Sequence, residues 1–457
     1  MIIPTQLNEN TTKNSNAKSQ HAAARLHYLR EYQRVKNGLM RDPKNQLQAR
    51  RETAIAKFSS VGFPTLKHSD WKYTSLIPLL QLPFSLSSAS SHLDTELAAT
   101  LAPSHYRLVF VNGRFSQTLS HRIALPHHAI ISHVADVIEH NPDHLFRHWE
   151  TSAECVENSF IRLNTAFMQD GAYIYLPANT QIVSPIELVF ISTCEQGFIP
   201  IRNIIITEKN SYAVVIEKYI SLEKVAPCYF NNSVTECFLA AESHVEHYTC
   251  LEESENAMHI GNLLVEQQEK SQFSAYSLAL TGALLRSDVR VKLCHAQAQC
   301  HLKGLYYAQN KQHIDHQTVI DHVSPQTHSK EFYKGIIDDH ARAVFNGKLI
   351  MREKAIKSSA QQLNKNLLLS TTAEVMTKPQ LEIFVDDIQC THGANIGQLD
   401  ETALFYLRAR GLNKKEAHTL LVKAFIHEII QQMPLLSTYS AASLSLKKIL
   451  AFDYANI

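Results

Sequence analysis

The sequence lacks the motifs by which most nucleotide-dependent and hydrolytic enzymes are recognised. It contains no Gly-x-x-x-x-Gly-Lys-Ser/Thr loop, no dinucleotide-binding glycine pattern and no Gly-x-Ser-x-Gly. Gly347-Lys348 has neither the upstream glycine nor the following hydroxyl of a phosphate-binding loop, and His427-Glu428 lacks the second histidine of a zinc protease helix. We therefore predict a protein that is not an enzyme and binds no nucleotide.

An excess of charge of either sign and a long apolar run are also missing. Forty-four Lys and Arg face 43 Asp and Glu, so no basic surface for nucleic acid is expected. No stretch approaches eighteen consecutive apolar residues, so we expect no membrane-spanning helix. Residues 1–20 are polar and carry no apolar signal region, which predicts a disordered tail and a cytoplasmic protein. At 457 residues and 45% apolar content, two or three domains with sizeable cores are possible.

None of the eight cysteines forms a Cys-x-x-Cys pair. In a cytosolic protein such cysteines are expected to be reduced thiols. Seven of the eight lie in apolar, strand-like surroundings and are interpreted as small buried hydrophobic residues. Cys390 is the exception.

Residues 21–170 are predicted to form an N-terminal helical region with a short strand hairpin. Residues 19–38 carry apolar side chains at helical spacing, and 44–60 form a second such segment that ends before Gly62. The strand Tyr106–Val111 is followed by Asn112-Gly113, a strong hairpin signal.

Residues 171–385 change to short, alternating and β-branched runs without a helical segment of normal length. Small polar residues recur near Asn210, Glu242, Lys270 and residues 294–296, at intervals of about 25 to 30 residues. Strands stacked at such a period are typical of a solenoid, in which each coil covers the apolar face of the previous one. Little glycine and few hairpin dipeptides favour a parallel β-helix over the alternative, a β-sandwich.

Residues 386–457 are predicted to be a C-terminal helical domain. Asp400 caps one helix, which ends at Gly411, and Asn413 with Glu416 forms a capping box for the next. Because a β-helix must protect its open ends from edge-to-edge pairing, we expect the helical regions on both sides to cover them.

The most informative segment follows the strand-like run 381–385. It brings Asp386, Asp387, Cys390 and His392 together within seven residues. On an extended chain, Cys390 and His392 project from the same side and can ligate one metal. Two ligands do not hold an iron cluster, so the missing donors are expected from a second subunit. The alternative is a buried cysteine beside a hydrogen-bonded histidine at a turn.

A weaker metal candidate is the pair His316 and His322, which alternation places on one face of an extended run. Stacked polar residues lining a β-helix explain the same pattern without a metal. A carbohydrate-active β-helix requires paired carboxylates in a groove. Because adjacent residues on a strand point to opposite faces, Asp386-Asp387 does not suit that chemistry.

Several longer motifs resemble those of the SufB/SufD family of iron–sulfur cluster assembly proteins, and the Cys-x-His-Gly sequence resembles its SufD type. The matching segments, in family order, are 70–74, 163–167, 343–348, 362–370, 378–398 and 404–411.

This resemblance implies a right-handed parallel β-helix between helical end domains, in a scaffold that assembles with SufB and with the ATPase SufC. It implies a transient iron–sulfur cluster at the interface with SufB, with His392 as a ligand and Cys390 as a ligand or helper. Docking of SufC is assigned to helical residues, namely Leu404, Phe405, Arg408, Arg410, Gly411 and Phe425. A homodimer of the isolated chain is possible, and a purely structural adaptor that ligates no metal is the rival interpretation.

Overall fold

A computed structural model describes residues 5–88, 106–126, 128–149, 157–221 and 226–435, with side chains from residue 18 onward except that of residue 148. Cys155 lies outside these ranges, and the seven described cysteines are free thiols. The described helices are α1 (Thr5–Val35), α2 (Gln46–Val61), α3 (Ile77–Leu80), α4 (Val134–His140), α5 (Pro142–Trp149), α6 (Ser159–Phe167), α7 (Glu401–Ala409) and α8 (Lys414–Ile430), with a short 3-10 turn at Ser69–Trp71.

In the described ranges, twenty strands form two long sheets that face each other, and from β5 onward consecutive strands alternate between them. The first sheet contains β1 (Ser85–Leu86), β4 (Ile130–His133), β5 (Ala172–Leu176), β7 (Gly197–Thr207), β9 (Phe230–Leu239), β11 (Met258–Gln267), β13 (Leu284–Leu293), β15 (His313–His322), β17 (Arg342–Met351) and β19 (Glu374–Ile383). The second contains β2 (Tyr106–Val111), β3 (Arg114–Phe115), β6 (Gln181–Ser192), β8 (Tyr212–Ser221), β10 (His244–Glu252), β12 (Gln272–Thr281), β14 (Gln299–Ala308), β16 (His328–Ile337), β18 (Ser358–Leu368) and β20 (Ile388–Gly397).

From β5 onward each strand pairs in parallel with the strand two positions later, so the chain winds through one coil for every two strands. The predicted parallel β-helix is confirmed, and the β-sandwich is excluded. One row of corners is turned by residues in the left-handed conformation, including Asn210, Glu242 and Lys270. The N–H of each donates to a carbonyl of the next coil, as Asn210 does to Ala241 at 3.0 Å. The polar punctuation in the sequence therefore marks these corners.

The N-terminal region is attached to the outer face of the first sheet. Helix α1 buries Tyr28 and Tyr32 in a core shared with Phe198 and Phe230. The segment Asp70–Thr74 docks further along.

In the segment Asp70–Thr74, the Trp71 ring centre lies 3.6 Å from the guanidinium of Arg286, and the Thr74 hydroxyl donates to Asp315 at 2.5 Å. Arg286 also donates to the Asp70 carbonyl at 2.9 Å. This compact aromatic segment fixes the N-terminal region against β13 and β15.

Two details differ from the prediction for the N-terminal part. Helix α1 begins at Thr5, inside the segment 1–20 predicted as a disordered tail, because a long helix propagates beyond the part that packs on the sheet. The hairpin at Asn112-Gly113 is confirmed, with φ of 50° and 78°. However, β2 also pairs in parallel with β6, so it forms part of the second sheet.

The C-terminal helix caps follow the sequence. Asp400 accepts a hydrogen bond from the Thr402 N–H, and Asn413 and Glu416 form the reciprocal capping box. Helix α8 packs lengthwise on the outer face of the second sheet, burying Val422, Ile426 and Ile429 against the sheet.

Two expectations for this end are corrected. The boundary placed after residue 385 is too early, because β20 forms a further strand in register with β18. Also, within the described ranges the C-terminal helices lie beside the coil stack and do not cover its end. Their apolar face matches the apolar outer surface of β14 and β16, which lie nearer the middle of the stack.

Candidate functional site

The last coil of the β-helix is open to solvent. Within the described ranges, strands β19 and β20 each pair on one side only, and neither contains a buried residue. Ile383 is in register with buried Met351, yet Ile383 is 47% exposed. Ile396 is in register with buried Asn366 and is 48% exposed. Side chains that earlier coils enclose are therefore presented at this end as a surface.

Cys390 and His392 lie on the interior-facing side of this coil. They are in register with Ala360 and Gln362 of β18, both of which are buried. The alternation predicted from the sequence is confirmed by this placement, since both project from the same side of β20. His392 is exposed because no further coil covers it, whereas Cys390 is half-buried against the edge of the interior core.

The Cys390 environment favours the neutral thiol. Burial raises the pKa of Cys390 and outweighs a hydrogen bond with the backbone of Ala360, which acts in the opposite direction. A thiol in this state becomes a metal ligand only when a cation or another positive group draws off its proton.

The ligand set on this chain is incomplete. Throughout the described ranges, no group of three or more His, Cys, Asp or Glu side chains is placed to hold a metal ion. Asp386 and Asp387 are exposed in the turn before β20. A Cβ at Gly393 would lie 3.3 Å from Leu363 Cδ1, so a side chain there requires only a slight shift of Leu363. Cys390 and His392 are thus two potential ligands, which is fewer than an iron–sulfur cluster takes.

The two weaker candidates, His316 and His322, both lie inside the coil stack and are at most 1% exposed. The two ring nitrogens of His322 are engaged by Thr327 at 2.7 Å and Ser329 at 2.8 Å. Burial lowers the pKa of His322 to about 3 and that of His316 to about 4. Their packing is that of neutral interior histidines, so the candidate site is confined to β20.

Sequence reasoning missed a second polar cluster deeper in the stack. Ser233, His259 and Glu253 form a hydrogen-bonded chain, with 3.1 Å from Ser233 Oγ to His259 Nε2 and 2.5 Å from His259 Nδ1 to Glu253 Oε1. This order of groups resembles a nucleophile relay. All three are buried, and the adjoining cavity has a volume of about 30 Å³, which suits water and not a substrate. The cluster is therefore interpreted as interior hydrogen bonding.

The helical residues assigned to docking divide into two groups. Phe405, Arg408, Arg410 and Gly411 are exposed, and Phe405 is 73% exposed. Leu404 is buried at the base of α7, and Phe425 is half-buried beneath the ammonium of Lys334 at 4.0 Å. Tyr406, which the sequence did not single out, is 57% exposed beside Phe405. The exposed aromatic pair on α7 is the part of this surface available to a partner.

Comparison with known proteins agrees with this architecture. Residues 22–188 match the SufBD protein N-terminal region, and residues 190–425 match the SufBD core domain of the SUF system for FeS cluster assembly. The chain belongs to the SufB/SufD family.

Among its relatives, an iron–sulfur cluster assembly SufBD family protein of Synechocystis is 32% identical, over 85% of this chain and 88% of the relative. The iron–sulfur cluster assembly protein SufD of Escherichia coli is 29% identical, over 91% and 93%. The chloroplastic protein ABCI7 of Arabidopsis thaliana is 26% identical, over 85% and 83%. In the described part of the chain, the helices are too short or too polar to cross a membrane.

Proposed function

We propose that this chain is a cytoplasmic scaffold subunit of the SUF system, which pairs with SufB and builds a nascent iron–sulfur cluster at their interface. The observation that carries the proposal is the uncovered last coil. Among the residues that the structure describes, one edge each of β19 and β20 has no partner strand, and apolar side chains at interior positions are half exposed. A second β-helix of the same kind continues the coil stack by covering it.

His392 and Cys390 then lie in the seam between the two subunits. His392 supplies an imidazole nitrogen, and Cys390 supplies a thiol that becomes a ligand once a metal or a partner cation favours the thiolate. SufB contributes the remaining donors. The cluster is the cargo of this site, and its substrates are iron and sulfide.

The ATPase SufC docks on the exposed face of α7, through Phe405 with Arg408 and Arg410. Closure of SufC on ATP moves this helix pair, and α8 transmits the movement to β16 and β18. Because β18 pairs directly with β20, the strand that carries His392, the seam rearranges. Supporting this route, Glu428 of α8 contacts Lys334 of β16 and Lys365 of β18.

The second candidate is a structural adaptor that holds SufB and SufC but ligates nothing. The half-buried position of Cys390, with its raised pKa, favours this alternative, because a packed thiol also serves as a core residue. The two candidates differ only in what happens to iron and sulfide.

The test uses the complex of this chain with its SufB and SufC partners, purified anaerobically. We expect His392→Ala to leave the complex intact on size exclusion and to lower its iron and sulfide content at least several-fold. Asn395→Ala is the matched control, since Asn395 is exposed on the opposite side of the same strand. Full iron and sulfide loading in the double variant His392→Ala, Cys390→Ser, with assembly unimpaired, would establish the adaptor instead.

A further inference from the structure

Among the described residues, one buried carboxyl neither contacts a cation nor caps a helix. In the described ranges, nine of the ten buried Asp and Glu side chains contact Arg, Lys or His, or cap helix α2 in the case of Asp42. The tenth is Glu331, 2% exposed on the inner side of β16. Burying a carboxyl without a cation is costly, so such a group needs an explanation.

Glu331 lies directly below the candidate site in the coil stack. The parallel register places Glu331 beside Gln362, and Gln362 beside His392, in three successive coils. Gln362 Nε2 donates to Glu331 Oε2 at 2.5 Å. The three residues thus form one interior column that ends at the open coil.

The amide of Gln362 presents an unused acceptor. Its Oε1 is buried and has no hydrogen-bond partner among the described residues. A primary amide carries its donor nitrogen and its acceptor oxygen on the same planar carbon, so one amide can bridge two neighbouring groups in a ladder. The nitrogen donates to the coil below, and the register neighbour of Gln362 in the coil above is His392.

The facing sheet is shaped to admit this amide. A Cβ at Gly347 would lie 2.1 Å from Gln362 Nε2 and 3.1 Å from Glu331 Oε2. Any larger residue at position 347 therefore displaces the pair. Thr318, the register partner of Gly347, interacts with the Glu331 carboxyl from the same side.

We propose that Gln362 and Glu331 are positioning residues for His392. In the assembled complex, one ring N–H of His392 donates to Gln362 Oε1, which leaves the second ring nitrogen directed out of the coil toward a metal. Glu331 holds the amide in the required orientation by accepting from its nitrogen. Metal-ligating histidines commonly donate their other N–H to an oxygen acceptor in this way. The inference rests on the proposed function, since it assigns His392 a metal.

The test uses Co²⁺ as a spectroscopic probe of the purified complex with SufB and SufC, prepared without iron. We expect Gln362→Leu, which removes the acceptor at similar volume, to weaken Co²⁺ binding about 10- to 100-fold and to shift its d–d absorption bands. Gln362→Glu retains an acceptor when its carboxyl shares a proton with that of Glu331 in place of the amide N–H, and is then expected to restore both. Glu331→Gln, which permits the amide to turn over, should give a smaller loss in the same direction.

Gln361→Leu is the matched control, because Gln361 is the exposed neighbour on the outer side of β18. It should bind Co²⁺ like the unaltered complex. Retention of affinity and spectrum in Gln362→Leu, while His392→Ala loses both, would overturn the positioning role and leave the proposed function standing. If His392→Ala itself binds Co²⁺ normally, the metal role of His392 fails and the positioning role fails with it.

Discussion

Lys334 on β16 forms an ion pair with Glu428 on α8, and the Lys334 side chain is completely buried. Glu428 also contacts Lys365 of β18 at 2.9 Å, so one carboxylate joins the helix to two adjacent strands. These hydrogen bonds lower the pKa of Glu428, and burial lowers that of Lys334. The contact fixes α8 to the coils next to the open end.

Glu428→Gln is expected to loosen α8 without unfolding the β-helix. The substitution leaves a buried ammonium without its counter-charge, but Glu428 is itself about half exposed, so solvent screening limits the cost to about 1.4 kcal/mol. That corresponds to about tenfold faster amide exchange in α8. Hydrogen exchange followed by mass spectrometry measures the exchange rate of the α8 amides. Glu353→Gln is the control, because Glu353 is an exposed carboxylate. Unchanged exchange in α8 would show that apolar packing alone holds the helix.

The carboxyl of Glu331, which contacts no cation among the described residues, predicts a loss of stability as pH rises. Burial raises the pKa of Glu331 to about 7 from 4.5, so the folded chain binds this proton more tightly than the unfolded chain does. Stability from this source is present below pH 4.5 and is lost between about pH 4.5 and 7, by about 3 kcal/mol in all. Glu331→Gln should remove this fall in stability with pH, which is measured as the difference between the urea unfolding midpoints at pH 5 and pH 8. If the urea midpoints of the variant and the parent change with pH in the same way, Glu331 is not the source of the fall in stability.

His322 predicts a loss of stability in acid. Burial lowers the pKa of His322 to about 3 from 6.5. Below pH 6.5 the unfolded chain therefore binds a proton that the folded chain does not bind, which favours unfolding. The cost is about 2 kcal/mol at pH 5. His322→Gln, which keeps polar contact with Thr327 and Ser329, should reduce the fall in urea midpoint between pH 7.5 and pH 5. His340→Gln, in a corner of the coil stack, is the control and should follow the parent.

The fold was predictable from the chain because its signals are local. Alternating apolar runs predict strands, Asn210 and Lys270 mark corners, and Asp400 with Asn413 marks the helix starts. Each of these depends on the conformation of a few neighbouring residues.

The relation between coils was not predictable, because register depends on the exact length of each coil. Glu331 and Gln362 are 31 residues apart, and Gln362 and His392 are 30 apart, yet all three stack in one column. A sequence read along one strand shows Cys390 beside His392 but not what lies beneath either. The end of the β-helix was placed too early, at residue 385, for the same reason. The polar turn at Asp386-Asp387 reads as the end of the strands, although β20 follows it.

Phe405 predicts where a partner docks on the C-terminal helices. Its ring is 73% exposed, and Tyr406 beside it is 57% exposed and lies under the Arg410 guanidinium at 5.1 Å. A paired aromatic and arginine surface is typical of interface hot spots, so Phe405→Ala should weaken SufC binding by about 2 kcal/mol, or about 30-fold in Kd. Calorimetric titration of SufC into the full chain measures this loss.

Leu420→Ala provides the comparison for Phe405, because Leu420 is 45% exposed on α8 and lies outside the aromatic surface. We expect its Kd for SufC to stay within a few-fold of the parent. Since Phe405 supports no core, the melting temperature of Phe405→Ala should equal that of the parent, which separates a lost contact from a damaged helix. Equal Kd values for Phe405→Ala and the parent would move the docking surface away from α7.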